Sequence, residues 1–313
     1  MMSLQAPSSV VMIRPHAFQS NPETRSDNAF QTATNHSAEK VSEMARAEFD
    51  EAVSRLLECG VCVHDFDDHG DANTPDSVFP NNWFSTHTGG HIAVYPMFAE
   101  NRRRERRWDV IDLLKRDYRV QDVIDYSGLE QDGLALEGTG AMVLDHIGRV
   151  AYVAKSNRAD PVLLERFCTH FNFEPIAFDA TDASGCAVYH TNVLMGIATD
   201  FAMVGLEMIT SEERRHTVES RLRETDREVI ALSTRQISEF AGNAIELTGN
   251  AGRVLALSER ALKALHEDQL AVIERSASLL PLCIPTIETA GGSVRCMIAG
   301  VHLARRTFEA KAA

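Results

Sequence analysis

No stretch of this 313-residue chain approaches the roughly 18 uninterrupted apolar residues that a membrane-spanning helix needs, so no membrane partner is expected. The N-terminus, Met1-Met2-Ser3-Leu4-Gln5-Ala6-Pro7, lacks a basic region followed by an apolar run. It does not read as a secretory signal, and a soluble cytoplasmic protein is the expectation. Positive charge is also scarce, with 31 Lys and Arg against 45 Asp and Glu, a formal balance of −14. Binding to a phosphate backbone relies on neutralisation by Lys and Arg, so a nucleic-acid partner is not expected. Six cysteines without a signal segment point to free thiols rather than a disulfide framework. Cys59 and Cys62 have redox or zinc spacing, but no second C-x-x-C or histidine pair accompanies them, and neither metal nor cofactor is expected.

What the chain does have is a repeat. Asn82, Glu137, His190, Asn243 and Cys296 anchor five short polar motifs at intervals of 55, 53, 53 and 53 residues. Such a period means supersecondary units stacked or set in a ring, each presenting equivalent positions to a common face. After Glu137, two apolar runs, 141–145 and 150–154, flank a short turn and read as buried strands in a hairpin. The layout recurs after Asn82, His190 and Asn243. Helical segments follow, as at Asp160-Pro161, where a capping residue precedes a first-turn proline. The unit is strand, strand, helix, strand. Only 297–303 follows Cys296 before a charged tail, so the last unit lacks its second strand. Ser9 to Arg14 has the composition to supply it, pairing the chain ends and removing exposed sheet edges. With 44% hydrophobic residues the chain can bury a large core, and the repeat argues for one domain over residues 1–313.

Register brings Cys296, His190 and Glu137 together, the chemistry of a thiol nucleophile, its proton carrier and an orienting or binding carboxylate. Gly291-Gly292 before Cys296 lets backbone approach a ligand closely, and the adjacent Arg295 favours a thiolate. The other cysteines read differently. Cys59 and Cys62 belong to the start of a strand after an amphipathic helix, and Cys168 and Cys283 read as core. Cys186 precedes the His190 motif, near the site or packed. The run Asn101 to Arg107 reads as a solvated helix face, and His87 and His91 as loop residues around Gly89-Gly90. Residues 15–36 could cover the site or merely cross the surface.

These motifs resemble the guanidino-group-modifying, or pentein, superfamily of arginine deiminases, dimethylarginine hydrolases and amidinotransferases. Four motifs carry the resemblance: Phe79-Pro80-Asn81-Asn82, Leu136-Glu137-Gly138-Thr139-Gly140, His190-Thr191-Asn192 and the glycine-rich approach to Cys296. It implies an α/β fold, a five-bladed α/β propeller of pseudo-fivefold ββαβ repeats closed by the chain termini. It also implies Cys296 as nucleophile, His190 as general acid/base and Glu137 as substrate-binding carboxylate. Arginine-processing members typically carry Arg-Asp where this chain has Asn81-Asn82, and His-x-Asp where it has His190-Thr191-Asn192. A guanidinium suits carboxylate partners, whereas an amide offers one acceptor and two donors without charge. Asn82 and Asn192 therefore suit a neutral ureido group, and the sequence, including Asp76 to Trp83, most resembles the citrulline-utilisation hydrolases.

The expected reaction is cysteine-dependent hydrolysis of a C–N bond, citrulline giving ornithine, carbon dioxide and ammonia through a carbamoyl thioester. The alternatives are an arginine dihydrolase, deiminase or dimethylarginine hydrolase-like enzyme, and a non-catalytic binding protein of the same superfamily. Further substrate-binding candidates are Asn81, Asp76 (site carboxylate or turn cap), Asn243 (substrate contact or φ>0 turn residue), and Arg14 and Arg295 (partners for a substrate carboxylate or surface ion pairs). The expected partner is a small ureido or guanidino amino acid, with homo-oligomerisation left open.

Overall fold

The computed structural model describes residues 4–307; residues 1–3 and 308–313, the ends of the N-terminal segment and of the charged tail, lie outside it. Its strands are β1 (Ser9–Arg14), β2 (Cys62–Asp67), β3 (Phe84–His87), β4 (His91–Val94), β5 (Asp122–Asp125), β6 (Met142–Asp145), β7 (Val150–Ala154), β8 (Glu174–Phe178), β9 (Met195–Ile197), β10 (Phe201–Val204), β11 (Glu228–Ala231), β12 (Ile245–Gly249), β13 (Gly252–Ser258), β14 (Ser278–Leu282) and β15 (Ala299–Gly300). They form five three-stranded sheets among the described residues. In each, an antiparallel pair is followed by helix and then a parallel third strand, as in β6–β7, Pro161–Phe171 and β8. The fifth sheet uses both ends of the chain. There β1 pairs antiparallel with β15 (Val10 with Gly300, Val11 with Ala299) and parallel with β2 along its whole length. The five sheets match a fivefold repeat, and the N-terminal strand completes the last unit.

Local chemistry accounts for the elements. Helix Ala38–Glu58 starts where the Ser37 side chain accepts from the Lys40 amide, and it buries Val41, Ala45, Phe49 and Leu56 on one face. Helix Pro161–Phe171 is capped by Asp160, whose carboxylate accepts from the Val162 and Leu163 amides, and it ends at Asn172 in the left-handed region. No helix among the described residues is long and apolar enough to cross a membrane.

The first strands start later than their hydrophobicity suggests, because each motif first winds into a tight turn. Pro80–Asn82, Gly138–Ala141, Thr191–Val193 and Val294–Met297 are single helical turns. Asn243 closes a comparable turn on the Phe240 carbonyl. Hydrogen bonds tie each turn to the next: Thr139 Oγ1 donates to the Asn81 carbonyl (3.2 Å), Thr191 Oγ1 to Ala141 (2.5 Å), and Asn243 Nδ2 to Asn192 (2.9 Å). The Arg295 amide in turn donates to Asn243 Oδ1 (3.0 Å). The repeat thus brings its five anchors to one place.

Several expectations are corrected. His87 is no loop residue: it is 2% exposed in β3, bonded to Ser85 Oγ and packed on Phe171. Cys283 is exposed rather than core, because it follows β14 instead of belonging to it; Cys186 is also exposed, and Cys168 is buried. The positive φ near Asn243 belongs to Phe240.

His87 is one of several buried histidines. His146 and His302 stack with ring centroids 3.9 Å apart. Burial holds His87 and His146 well below the ordinary value of 6.5 and His302 down to about 4, with neighbouring cationic groups adding to the effect. The unfolded chain takes up protons that the folded one refuses, so this stability is complete above pH 6.5 and lost as pH falls towards 4. For His302 the shift from 6.5 to about 4 corresponds to about 3 kcal/mol. Urea unfolding should show a clear loss of stability between pH 7.5 and 4.5, and His302→Gln should flatten it. An equally steep profile in that variant would contradict the assignment.

Candidate active site

Cys296 is the third residue of its turn, reached through Gly291-Gly292-Ser293. Gly291 has φ +83°, and a Cβ on Gly292 would lie 2.7 Å from the Phe79 ring, so the chain passes closer to Phe79 than a side chain allows. The Cys296 side chain is buried. Its Sγ accepts from Asn192 Nδ2 at 3.2 Å and Asn243 Nδ2 at 3.3 Å. Two amide donors converging on one sulfur suit a thiolate acceptor.

His190 Nε2 lies 2.7 Å from Glu137 Oε2, both residues fully buried. Burial would raise the Glu137 carboxyl, but Arg158, His190 and Arg102 outweigh it and keep it ionised. Nε2–H therefore donates to Glu137, leaving Nδ1 as the acceptor. Burial, helped by the two arginines, lowers the imidazole to about 4 against the opposing pull of Glu137. His190 is thus neutral at physiological pH and able to take a proton.

The His190 ring and Asn82 crowd Gly140. A Cβ on Gly140 would lie 2.0 Å from the end of the Asn82 carboxamide and 2.9 Å from His190 Nδ1. Gly138, at φ +46°, would bring a Cβ to 2.4 Å from the Asn81 carbonyl. The two glycines after Glu137 allow three motifs to meet.

A small cavity of about 20 Å³ joins Cys296, His190, Asn82 and Asp76. Asp76 is buried and accepts from Asn21 Nδ2 at 2.8 Å through Oδ2, while its Oδ1 has no hydrogen-bond partner. Burial raises its carboxyl, and Arg102 and Asn21 oppose the rise. Two further wall residues, Arg102 and Arg158, were not expected here. Arg102 makes a bidentate pair with Glu105 (2.9 Å twice) and lies 3.6 Å from Asp76 and 3.5 Å from Glu137. With its carboxamide oxygen turned to Arg102, Asn82 accepts from Nη1 and Nη2 at 3.1 and 3.0 Å and donates to Asn81 Oδ1. Arg158 is bidentate with Asp27 (2.9 and 2.6 Å) and 3.7 Å from Glu137.

The structure therefore brings together Cys296, His190, Glu137, Asn82, Asn192, Asp76 and Asn243, with Asn81 behind Asn82. It does not bring in Arg14 or Arg295. Arg14 pairs with Asp50 at 2.6 Å and Asp67 at 3.7 Å, half-exposed at the end of β1. Arg295 donates to the Ile298 carbonyl and lines a different cavity. The basic run is no solvated face, since Arg102 is buried among three carboxylates. Only the Glu105 spacing, three residues on, could have hinted at this. Residues 18–32 do cover the site, through Asn21, Asp27 and Asn28, whose amide donates to the Ala290 carbonyl at 3.2 Å. Among the described residues no group of three or more His, Cys, Asp or Glu is placed to hold a metal ion.

Solved structures share this fold. The N-terminal domain of ArgZ bound to substrate, described as an arginine dihydrolase from the ornithine–ammonia cycle in cyanobacteria, superposes with a TM-score of 0.70 at 16% identity, covering 94% of this chain and 99% of that one. Unliganded AgrE gives 0.71 at 15%, covering 96% and 40%. DDAH from Pseudomonas aeruginosa complexed with citrulline gives 0.62 at 13%, covering 96% and 100%. These likenesses show a shared fold, and together with the family match that follows they place the chain in the guanidino-group-modifying, or pentein, superfamily. Residues 14–303 match the family described as N,N dimethylarginine dimethylhydrolase, eukaryotic, and the chain belongs to it. A search of curated protein sequences finds no match.

Proposed function

We propose that the protein is a cysteine-dependent hydrolase of a C–N bond in a ureido amino acid, citrulline giving ornithine, carbon dioxide and ammonia. The observation that carries this reading is the meeting, at one cavity, of Cys296 under two amide donors, His190 paired with Glu137 behind it, and the uncharged carboxamide of Asn82. Neutral His190 takes the thiol proton and Cys296 Sγ attacks the ureido carbon. The bond from that carbon to the substrate chain nitrogen breaks, His190 returns the proton to that nitrogen, and ornithine leaves. Water, deprotonated by His190, then cleaves the carbamoyl thioester to carbamate, which decomposes to carbon dioxide and ammonia. Asn82 and Asp76 offer the ureido group donors and acceptors, and holding it in line lowers the barrier by several kcal/mol. Arg102 and Arg158, the cations of the cavity wall, are the partners for the substrate carboxylate in place of Arg14 and Arg295. The reading includes the five sheets closing into a five-bladed propeller, a single domain in the cytoplasm.

The second reading is a guanidino substrate, arginine or a dimethylarginine. Buried Asp76 favours it, since a carboxylate oxygen without a partner suits a guanidinium, and so does the name of the family matched. Against it, Asn82 and Asn192 put uncharged amides at the positions where a guanidinium suits carboxylates.

The test is to incubate the protein with citrulline, arginine and dimethylarginine and follow ornithine, citrulline and ammonia. Turnover of citrulline alone is expected, with Cys296→Ala slower by at least about 10³-fold. Turnover of arginine or dimethylarginine would transfer the reading to the guanidino class while keeping the Cys-His-Glu chemistry. Inertness to all three would overturn both.

A further inference from the structure

A second cavity, of about 50 Å³, is lined by the first strand of every sheet: β3, β6, β9, β12 and β15. Arg295 lines it from the residue beside the thiol. Its guanidinium makes one side-chain hydrogen bond, Nη1 to the Ile298 carbonyl at 3.0 Å, and among the described residues it has no carboxylate within ion-pair distance. Burial lowers it only to about 10, so it is cationic at neutral pH. His146 and His302 line the same space, and His146 Nδ1 has no partner.

Arg295 is half-buried, and a partly desolvated charge that the protein leaves uncompensated is costly, a cost that a counter-ion from solution lowers. We propose that this cavity is a binding site for a small monovalent inorganic anion, of chloride to bicarbonate size, held by Arg295 with His146 and His302. The cavity has room for such an ion. One carboxylate, Glu246, shares the lining, its Oε2 taken by Thr199 and its Oε1 without a hydrogen bond, 3.8 Å from Arg253 Nη1. Its charge selects against multivalent anions, and an anion carrying a hydroxyl would also satisfy Oε1.

The test compares thermal unfolding in sodium bromide and in sodium gluconate at equal ionic strength, for the native protein and Arg295→Gln. The native protein should show a saturable rise of at least about 3 °C in bromide, and the variant none. No saturable rise in the native protein would overturn the site, as would an equal rise in the variant, which would place the ion on Arg102, Arg158 or the surface. Should Arg295→Gln fail to fold, native crystals soaked in bromide decide: an anomalous peak between Arg295 and His146 supports the site, and its absence at saturating bromide overturns it.

Discussion

Replacing Gly140 by Ala should leave the protein folded and lower kcat/KM by at least about 10²-fold. In a helical turn Ala is ordinarily favoured over Gly by up to about 1 kcal/mol, so backbone preference alone predicts a neutral or stabilising change. The obstacle is spatial. The new methyl would stand 2.0 Å from the end of the Asn82 carboxamide and 2.9 Å from His190 Nδ1, and both are ends of side chains that can yield. In yielding, Asn82 leaves Arg102 and His190 leaves its alignment with Glu137. Misplacing reacting groups by about 1 Å costs on the order of 10²-fold. Gly138→Ala should behave differently, because its methyl meets backbone and its φ is +46°: stability falls along with activity. Steady-state kinetics beside a urea melt separates the two. A fully active Gly140→Ala would mean that His190 and Asn82 need not be held where they lie.

Asp145→Ala should lower the unfolding free energy by about 3–5 kcal/mol. Asp145 and Arg227 form a bidentate pair (2.6 and 2.9 Å) with both side chains wholly buried. Asp145 Oδ1 also accepts from the Ile147 and Gly148 amides, and Arg227 Nε donates to the Ala198 carbonyl at 2.7 Å. The pair joins the turn after β6 to the unit containing β9 and β10. Removing the carboxylate strands a guanidinium in the interior and leaves two amides unbonded. The double change Asp145→Leu with Arg227→Met should cost clearly less, since apolar replacement of both members avoids the stranded charge. Equal losses from the single and double variants, measured as urea midpoints, would count against this account.

Much of this architecture was readable from spacing. The hairpins after Asn82, Glu137, His190 and Asn243, and the return of residues 9–14 to complete the last sheet, follow from periodicity and turn chemistry. The Cys-His-Glu set followed from register, and all three residues lie together or in contact. The arginines of the site did not follow. Arg102 sits in a run that any charge argument places in solvent, and its burial depends on Asp76, Glu105 and Glu137, separated in sequence by up to 61 residues. Arg158 depends in the same way on Asp27, 131 residues away. Such pairs leave no local pattern, because each half alone looks like a surface residue. His87 failed for a related reason: its aromatic neighbours Phe167 and Phe171 come from a helix 80 residues on.

The pairing of β1 with β15 sets an order of assembly. In a chain made from its N-terminus, Val10 emerges 290 residues ahead of its partner Gly300. For most of synthesis β1 can have β2 but not β15, and one edge of their sheet stays open as a template for other strands. Cys296, three residues before β15, arrives with the strand that covers this edge. The thiol is thus withheld until its receptacle has been built, and a chain interrupted between His190 and Cys296 carries Glu137 and His190 without a nucleophile for them to serve.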